Sequence, residues 1–171
     1  MKKIHVTLVA GAMFLFACGA TSFAQQKIGH INTQDVLQLM PERDSAAKVF
    51  DKFNEEINKN FESMKVAYNN ALDAFTKQKD SLSPFLRDTK QQEIIDMQGK
   101  IENFKVAAQQ ELQKKQDDLM APIVEKLKKA IKAVAEEHKF TYVLDSGSLL
   151  FVPDDESLNL LPLVKAKLGI K

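Results

Sequence analysis

The chain has 171 residues, 24 Lys and Arg against 23 Asp and Glu, and one cysteine, Cys18. A charge so near zero, with Arg43 and Arg87 as the only arginines, leaves no basic footprint for nucleic acid. A single cysteine excludes an internal disulfide framework.

The basic start MKKIH is followed by the apolar run VTLVAGAMFLFACGATSFA, which ends in small residues with Ser22 and Ala24 spaced as a signal-peptidase site requires. The run decays into Gly, Thr and Ser after Phe16, too early for a spanning helix of ~20 strongly apolar residues. It therefore reads as an export signal, residues 1–24, cleaved after Ala24. LFAC at Leu15–Cys18 offers a lipid anchor on Cys18 as the alternative, with bulky Phe16 where small residues are preferred. Cleavage would leave 22 basic and 23 acidic residues, a net charge of −1, and no thiol.

KIGHIN, from Lys27, reads as a short strand. After it the chain is rich in Lys, Glu, Asp and Gln and nearly free of Gly. Pro41 to Ser83 and Pro84 to Ala121 form two segments of similar length, meeting at SLSPF. The first carries Ala46, Phe50, Phe53, Ile57, Phe61, Met64, Tyr68, Ala71, Phe75 and Leu82; the second carries Ile94, Met97, Ile101, Phe104, Ala108, Leu112 and Leu119. Steps of three and four are the helical period. Ser83 is a cap and Pro84 a tolerated first helical residue, so one helix ends near Asp80 and another starts at once.

So short a turn makes the helices antiparallel. A register in which paired numbers sum to 165 joins Ala46 to Leu119, Phe53 to Leu112, Ile57 to Ala108, Phe61 to Phe104, Met64 to Ile101, Tyr68 to Met97 and Ala71 to Ile94. Residues 41–121 are thus expected to form a helical hairpin arm ~60 Å long. Gly99 lies within its second helix, at a cost of ~1 kcal/mol relative to Ala.

Pro122 is expected to kink or restart the helix, which continues through Ile123, Leu127, Ile131 and Val134. FTYVLD and SLLFV flank Ser146-Gly147 as a β-hairpin signal, ended by Pro153. DESLNLLPLVKAKLG reads as a closing helix with an acidic start and a basic end. A two-stranded hairpin is marginal alone, so KIGHIN is expected to join it. Residues 25–40 and 122–171 then form one β-rich body with flanking helices, from which the arm projects. The fold class is mainly α with a small β body.

KIGHINTQDVLQLMPE, the arm hinged at LSPFLRDTKQQEI, and KLKKAIKAVAEEHKFTYVLDSGSLLFVPDD stand in that order and spacing, and together the chain resembles the Skp (OmpH-like) periplasmic chaperones over nearly its whole length after residue 24. The resemblance implies a homotrimer with jellyfish-like architecture. Strands of three chains would join in one body, and three arms would surround a cavity holding an unfolded outer-membrane protein. Relatives of that family tend to be markedly basic; this chain departs from them, which weakens charge-driven capture of clients or lipid as an expectation. The apolar residues Ile28, Ile31, Val143, Leu144, Leu149, Leu150 and Phe151 exceed what one small sheet can bury, which favours association independently. Coverage of these residues by the last helix is the competing reading.

Val66, Leu72, Phe85, Leu86, Ile95 and Val106 lack a partner in the hairpin register. They are candidates for client contact, with Phe85 and Leu86 at the arm tip also placed to touch a membrane. Scatter on a thin hairpin accounts for the helical positions equally well. Enzymatic chemistry has little support, and no cofactor is implied. His30 and His138 have no metal or triad partner at suitable spacing, and Asp117-Asp118 and Glu136-Glu137 fit solvated helix faces. Ser146-Gly147-Ser148 lacks the Gly-x-Ser-x-Gly pattern. Two functions remain: an ATP-independent holding chaperone, or a structural coiled-coil adaptor of the cell envelope.

Overall fold

The chain leaves a strand, travels through 99 residues of helix and returns to pair beside that strand. The computed structural model describes residues 26–170. The export signal, its cleavage after Ala24 and the lipid-anchor alternative at Cys18 lie outside the described residues.

Strand β1, Ile28–Ile31, is followed by a short helix α1, Thr33–Leu39. Asn32 caps α1, its side-chain oxygen accepting the N–H groups of Gln34 and Asp35. Helix α2, Pro41–Gln78, runs out along the arm, and α3, Pro84–Glu137, returns. Strand β2, Tyr142–Asp145, comes next, then a 3-10 turn at Ser146–Ser148, another at Glu156–Leu158, and helix α4, Leu161–Leu168.

The sheet keeps the expected partnership of KIGHIN with the FTYVLD strand but lacks the expected hairpin. β2 has no hairpin partner after Gly147: Asp145 caps the 3-10 turn, and Leu149 to Phe151 leave the sheet. β1 instead pairs with β2 in parallel, Ile28 beside Tyr142 and Ile31 beside Asp145. Parallel strands need a long crossover connection, and here the crossover is α1 plus the whole arm. On the other side of β1, His30 forms a bridge with Asn159.

Of the two expectations at Pro122, a kink or a restart, the restart does not occur: α3 continues through this residue. α4 begins later than expected. Asp154, Asp155 and Glu156 precede it, and its first turn carries no acidic residue, whereas Lys165 and Lys167 do occupy its last turn. Helix α1 has no counterpart in the sequence expectation, although Asn32 is a legible cap.

The core sits where the elements converge. Ile31, Val36, Met40, Ile123, Leu127, Ala130, Val134, Leu160 and Val164 are buried together, with Phe140 and Val143 packed against them. Gly29 is required by this packing: a Cβ there would fall 2.3 Å from Leu160 Cδ1 and 2.7 Å from Phe140 Cε1. Helix α3 ends with Lys139 in the left-handed region, φ 57°, and Phe140 N–H returning to Ala135 O at 2.9 Å. The turn aims the chain into β2.

The arm follows the expected antiparallel register. Phe61 and Phe104 stack with ring centroids 6.4 Å apart, Ala46 and Leu119 line one cavity, and Ala71 and Ile94 line another. No residue of α2 is buried, and in the arm half of α3 only Ile94 is.

Candidate functional site

The arm tip is built by local hydrogen bonding. Lys79 N–H bonds Phe75 O at 2.8 Å to finish α2, and Ser83 Oγ accepts Leu86 N–H to open α3. Arg87 Nε donates across the turn to Lys79 O at 3.1 Å. Pro84 has no N–H to satisfy, so the polar needs of the turn are met without the side chains of Phe85 and Leu86. Both point into water: Phe85 is 78% exposed and Leu86 47%.

Four further residues singled out from the sequence, Val66, Leu72, Ile95 and Val106, are also exposed, distributed over both helices of the arm. Val49, near the arm base, is exposed as well and was not among the sequence candidates. These residues do not converge on an enclosed cavity; they form a dispersed apolar surface over the length of the hairpin. Three local ion pairs lie among them, Lys59 with Glu55, Lys65 with Glu62 and Lys90 with Glu93. Exposed pairs of this kind contribute at most about 1 kcal/mol each and leave no strong field.

The body divides the residues expected at an assembly surface into two sets. Successive strand residues face opposite sides. Ile31 is 1% exposed in the chain's own core and Val143 packs against that core, so α4 and α3 already cover them. The Ile31 side chain is enclosed by its own chain. Ile28 and Leu144 lie on the outer face with Tyr142, all exposed, and Leu149, Leu150 and Phe151 continue the apolar surface beyond β2.

Asp145 closes the open end of the strand pair. Thr33 Oγ donates to its Oδ2 at 2.6 Å, and the Gly147 N–H reaches Oδ1 at 3.1 Å. The Thr33 hydroxyl chiefly, aided by the backbone N–H groups and opposed by slight burial, holds this carboxyl below its ordinary pKa. His30 Nε2 is shielded from water without a partner, and His138 caps the end of α3. Among the described residues, no group of three or more His, Cys, Asp or Glu could hold a metal ion, and no helix is long and apolar enough to cross a membrane.

A small α/β body carrying one long antiparallel helical arm, apolar at its tip and with charges of both signs along its sides, defines a class of arm-bearing proteins whose working surface is extended rather than enclosed. The chain belongs to the OmpH-like outer membrane protein family, whose model matches residues 27–168. Its fold is similar to the crystal structure of a Caulobacter crescentus protein described as a candidate outer membrane chaperone (OmpH-like). The TM-score is 0.73 with 12% identity, over 88% of this chain and 88% of that one. No curated protein matches the chain in sequence.

Proposed function

We propose that this protein is an ATP-independent periplasmic holding chaperone that binds unfolded outer-membrane proteins between helical arms and keeps them from aggregating. The carrying observation is the dispersed apolar surface of the arm, ending in Phe85 and Leu86 at the tip. Membership of the OmpH-like family and the fold shared with a protein described as a candidate chaperone support this reading. Contacts spread along a hairpin suit a chain without fixed shape, because each contributes only ~25 cal/mol per Å² removed from water and none demands one bound conformation.

Residues 42–120 carry thirteen Lys and Arg against fifteen Asp and Glu, a net charge of −2. Steering of an acidic client is therefore weak, and apolar contact dominates. The outer face of the strand pair, with Ile28, Leu144, Leu149, Leu150 and Phe151, is the surface through which three copies would assemble. Three arms would then enclose the client, and their tips could reach a membrane surface.

The test is aggregation of several unrelated β-barrel proteins diluted from urea, without nucleotide. We expect suppression near stoichiometric amounts of chaperone, little change between low and moderate salt, and weaker capture by the Phe85→Ser, Leu86→Ser variant than by removal of any two lysines. Protection of none of them, with tight binding to one folded partner, would make the protein an adaptor. Leu144→Asp should reduce the assembled mass by light scattering, because a buried unpaired charge is costly; an unchanged mass would remove this face from the assembly.

A further inference from the structure

The two helices of the arm present different outer faces. Each packs one side against its partner along the seam, and the rest of its circumference meets water. At about 100° of rotation per residue, all seven glutamines of α3, from Gln91 to Gln116, fall within about 120° of one another on the side away from that seam. Every one of them is exposed. Between Asp88 and Asp117 this arc carries no Lys or Arg. α2 has one glutamine, Gln78, and its outer face carries Lys48, Lys52, Lys59 and Lys77 instead. Lysines suffice to solvate a helix face, so solvation alone does not call for seven amides on one side of α3.

Most of these amides are unspent. Gln92 and Gln113 each donate to a carboxylate one turn on, Asp96 and Asp117, at 2.9 Å. The other five bond no side chain or backbone group among the described residues. Ile95 and Val106 stand in the same arc, 52% and 57% exposed. Gly99 lies between them. No atom of the chain comes within 4 Å of the place its Cβ would take, so the missing side chain serves no packing inside the hairpin. It leaves a step in the face where another backbone can approach the helix.

The chemistry of the face selects its occupant. A glutamine amide offers a carbonyl acceptor and N–H donors, the same pair that each peptide unit of a main chain needs. A folded partner has already paired those groups within itself, whereas an unfolded chain lifted out of water must find partners for them. A helix from a second copy fits poorly, because helix pairing needs apolar residues at steps of three and four. Here the two large apolar side chains, Ile95 and Val106, stand about three turns apart. From Gln91 to Gln116 the face runs about 38 Å along the helix. That is the length of an extended segment of about eleven residues, and one strand of a membrane-spanning barrel has about 9–11.

We propose that the glutamine face of α3 is a client-binding face of the arm, and that it holds one extended strand of an unfolded β-barrel protein by its main chain. The proposal rests on the holding-chaperone reading and names the part of the client that is recognised. Glutamine amides pair the client's N–H and C=O groups, Gly99 admits its backbone, and Ile95 and Val106 take apolar side chains that an alternating strand turns towards the arm. Because every residue shares the same main chain, such a face accepts unrelated sequences.

The experiment measures, by fluorescence anisotropy, binding of a labelled uncharged peptide of about eleven alternating apolar and polar residues. N-methylation of every second peptide nitrogen, which removes main-chain donors, should weaken its binding to the unsubstituted protein by about tenfold. Gln91→Ala, Gln98→Ala, Gln109→Ala and Gln116→Ala together should weaken the unmethylated peptide by a similar factor and abolish most of the methylation penalty. Lys48→Ala, Lys52→Ala and Lys77→Ala on α2 should change affinity by less than about twofold. Alanine suits a helix at least as well as glutamine, and circular dichroism and light scattering check helix content and assembled mass. No methylation penalty in the unsubstituted protein would overturn the proposal, as would an equal penalty in the glutamine variant. A changed mass in that variant would assign the face to contact between copies and overturn it too. Protection of a urea-unfolded barrel protein that survives all four glutamine substitutions would remove this face alone; absence of protection by the unsubstituted protein would remove the chaperone reading itself.

Discussion

The body and the arm use the same helices but different physics. In the body, α3 buries Ile123, Leu127, Ala130 and Val134 against Ile31, Val36, Leu160 and Val164. In the arm, the same helix presents a single seam to α2, where Phe53, Ile57 and Phe61 are only half-buried. Two helices alone cannot surround a side chain, so each seam residue keeps part of its surface in water. The body therefore has a specific, close-packed solution, whereas the arm is held by many modest contacts in series. An extended arm of this kind opens locally at lower free energy than the core, which suits a surface that must conform to something else.

The contrast between body and arm can be broken first in the buried core, where a single substitution should cost most. Leu160→Ala, at a site with no exposed surface, should lower stability by about 2–5 kcal/mol. Ile57→Ala in the seam should cost about half of that, because its side chain is already partly hydrated. Denaturant unfolding at fixed protein concentration measures both, and equal losses would show that the arm is as tightly packed as the body.

The two mid-element glycines should respond with opposite signs. Gly29→Ala drives a methyl group into Leu160 and Phe140 and should cost about 1–3 kcal/mol as overpacking. Gly99→Ala meets nothing within 4 Å and should raise stability by about 1 kcal/mol through helix propensity. Thermal unfolding of the two variants tests the pair, and a gain at Gly29 would mean the body core is loose.

The smallest expected effect is a pH dependence. The pKa of Asp145 is lowered in the folded chain, so its contribution is fully present above the ordinary aspartate value of ~3.9 and is lost as pH falls through the folded value. Thr33→Val removes the main hydrogen bond, so it should lower stability at neutral pH and flatten the stability curve in that acidic window. Retention of the full acid dependence in Thr33→Val would assign it to other carboxylates.

Local signals predicted the arm well. Three-four spacing marked the seam, Ser83-Pro84 marked the turn, and the register placed Phe61 opposite Phe104, where their rings stack. Exposure of Phe85 and Leu86 followed from the same pattern. The body was harder to read because its contacts join residues more than one hundred positions apart. Ser146-Gly147 looked like a hairpin turn, yet Asp145 turns it into a 3-10 cap and Ile28–Ile31 takes the place beside β2. Ile31 and Leu144 were equally apolar in sequence, and nothing local showed that Ile31 faces inward and Leu144 outward.

By itself, then, the sequence determined the helical hairpin, its length, its turn and its antiparallel register, since each depends on periodicity and capping within a few residues. Tertiary structure alone decided the parallel pairing of β1 with β2, the unbroken passage of α3 through Pro122, and the need for glycine at position 29. Those features depend on which distant surfaces meet. A strand's partner is chosen by burial on its inner face, a helix can cross a proline when the residues that follow it, here Ile123 and Leu127, are anchored in the core, and a missing side chain matters only once Leu160 and Phe140 occupy the space.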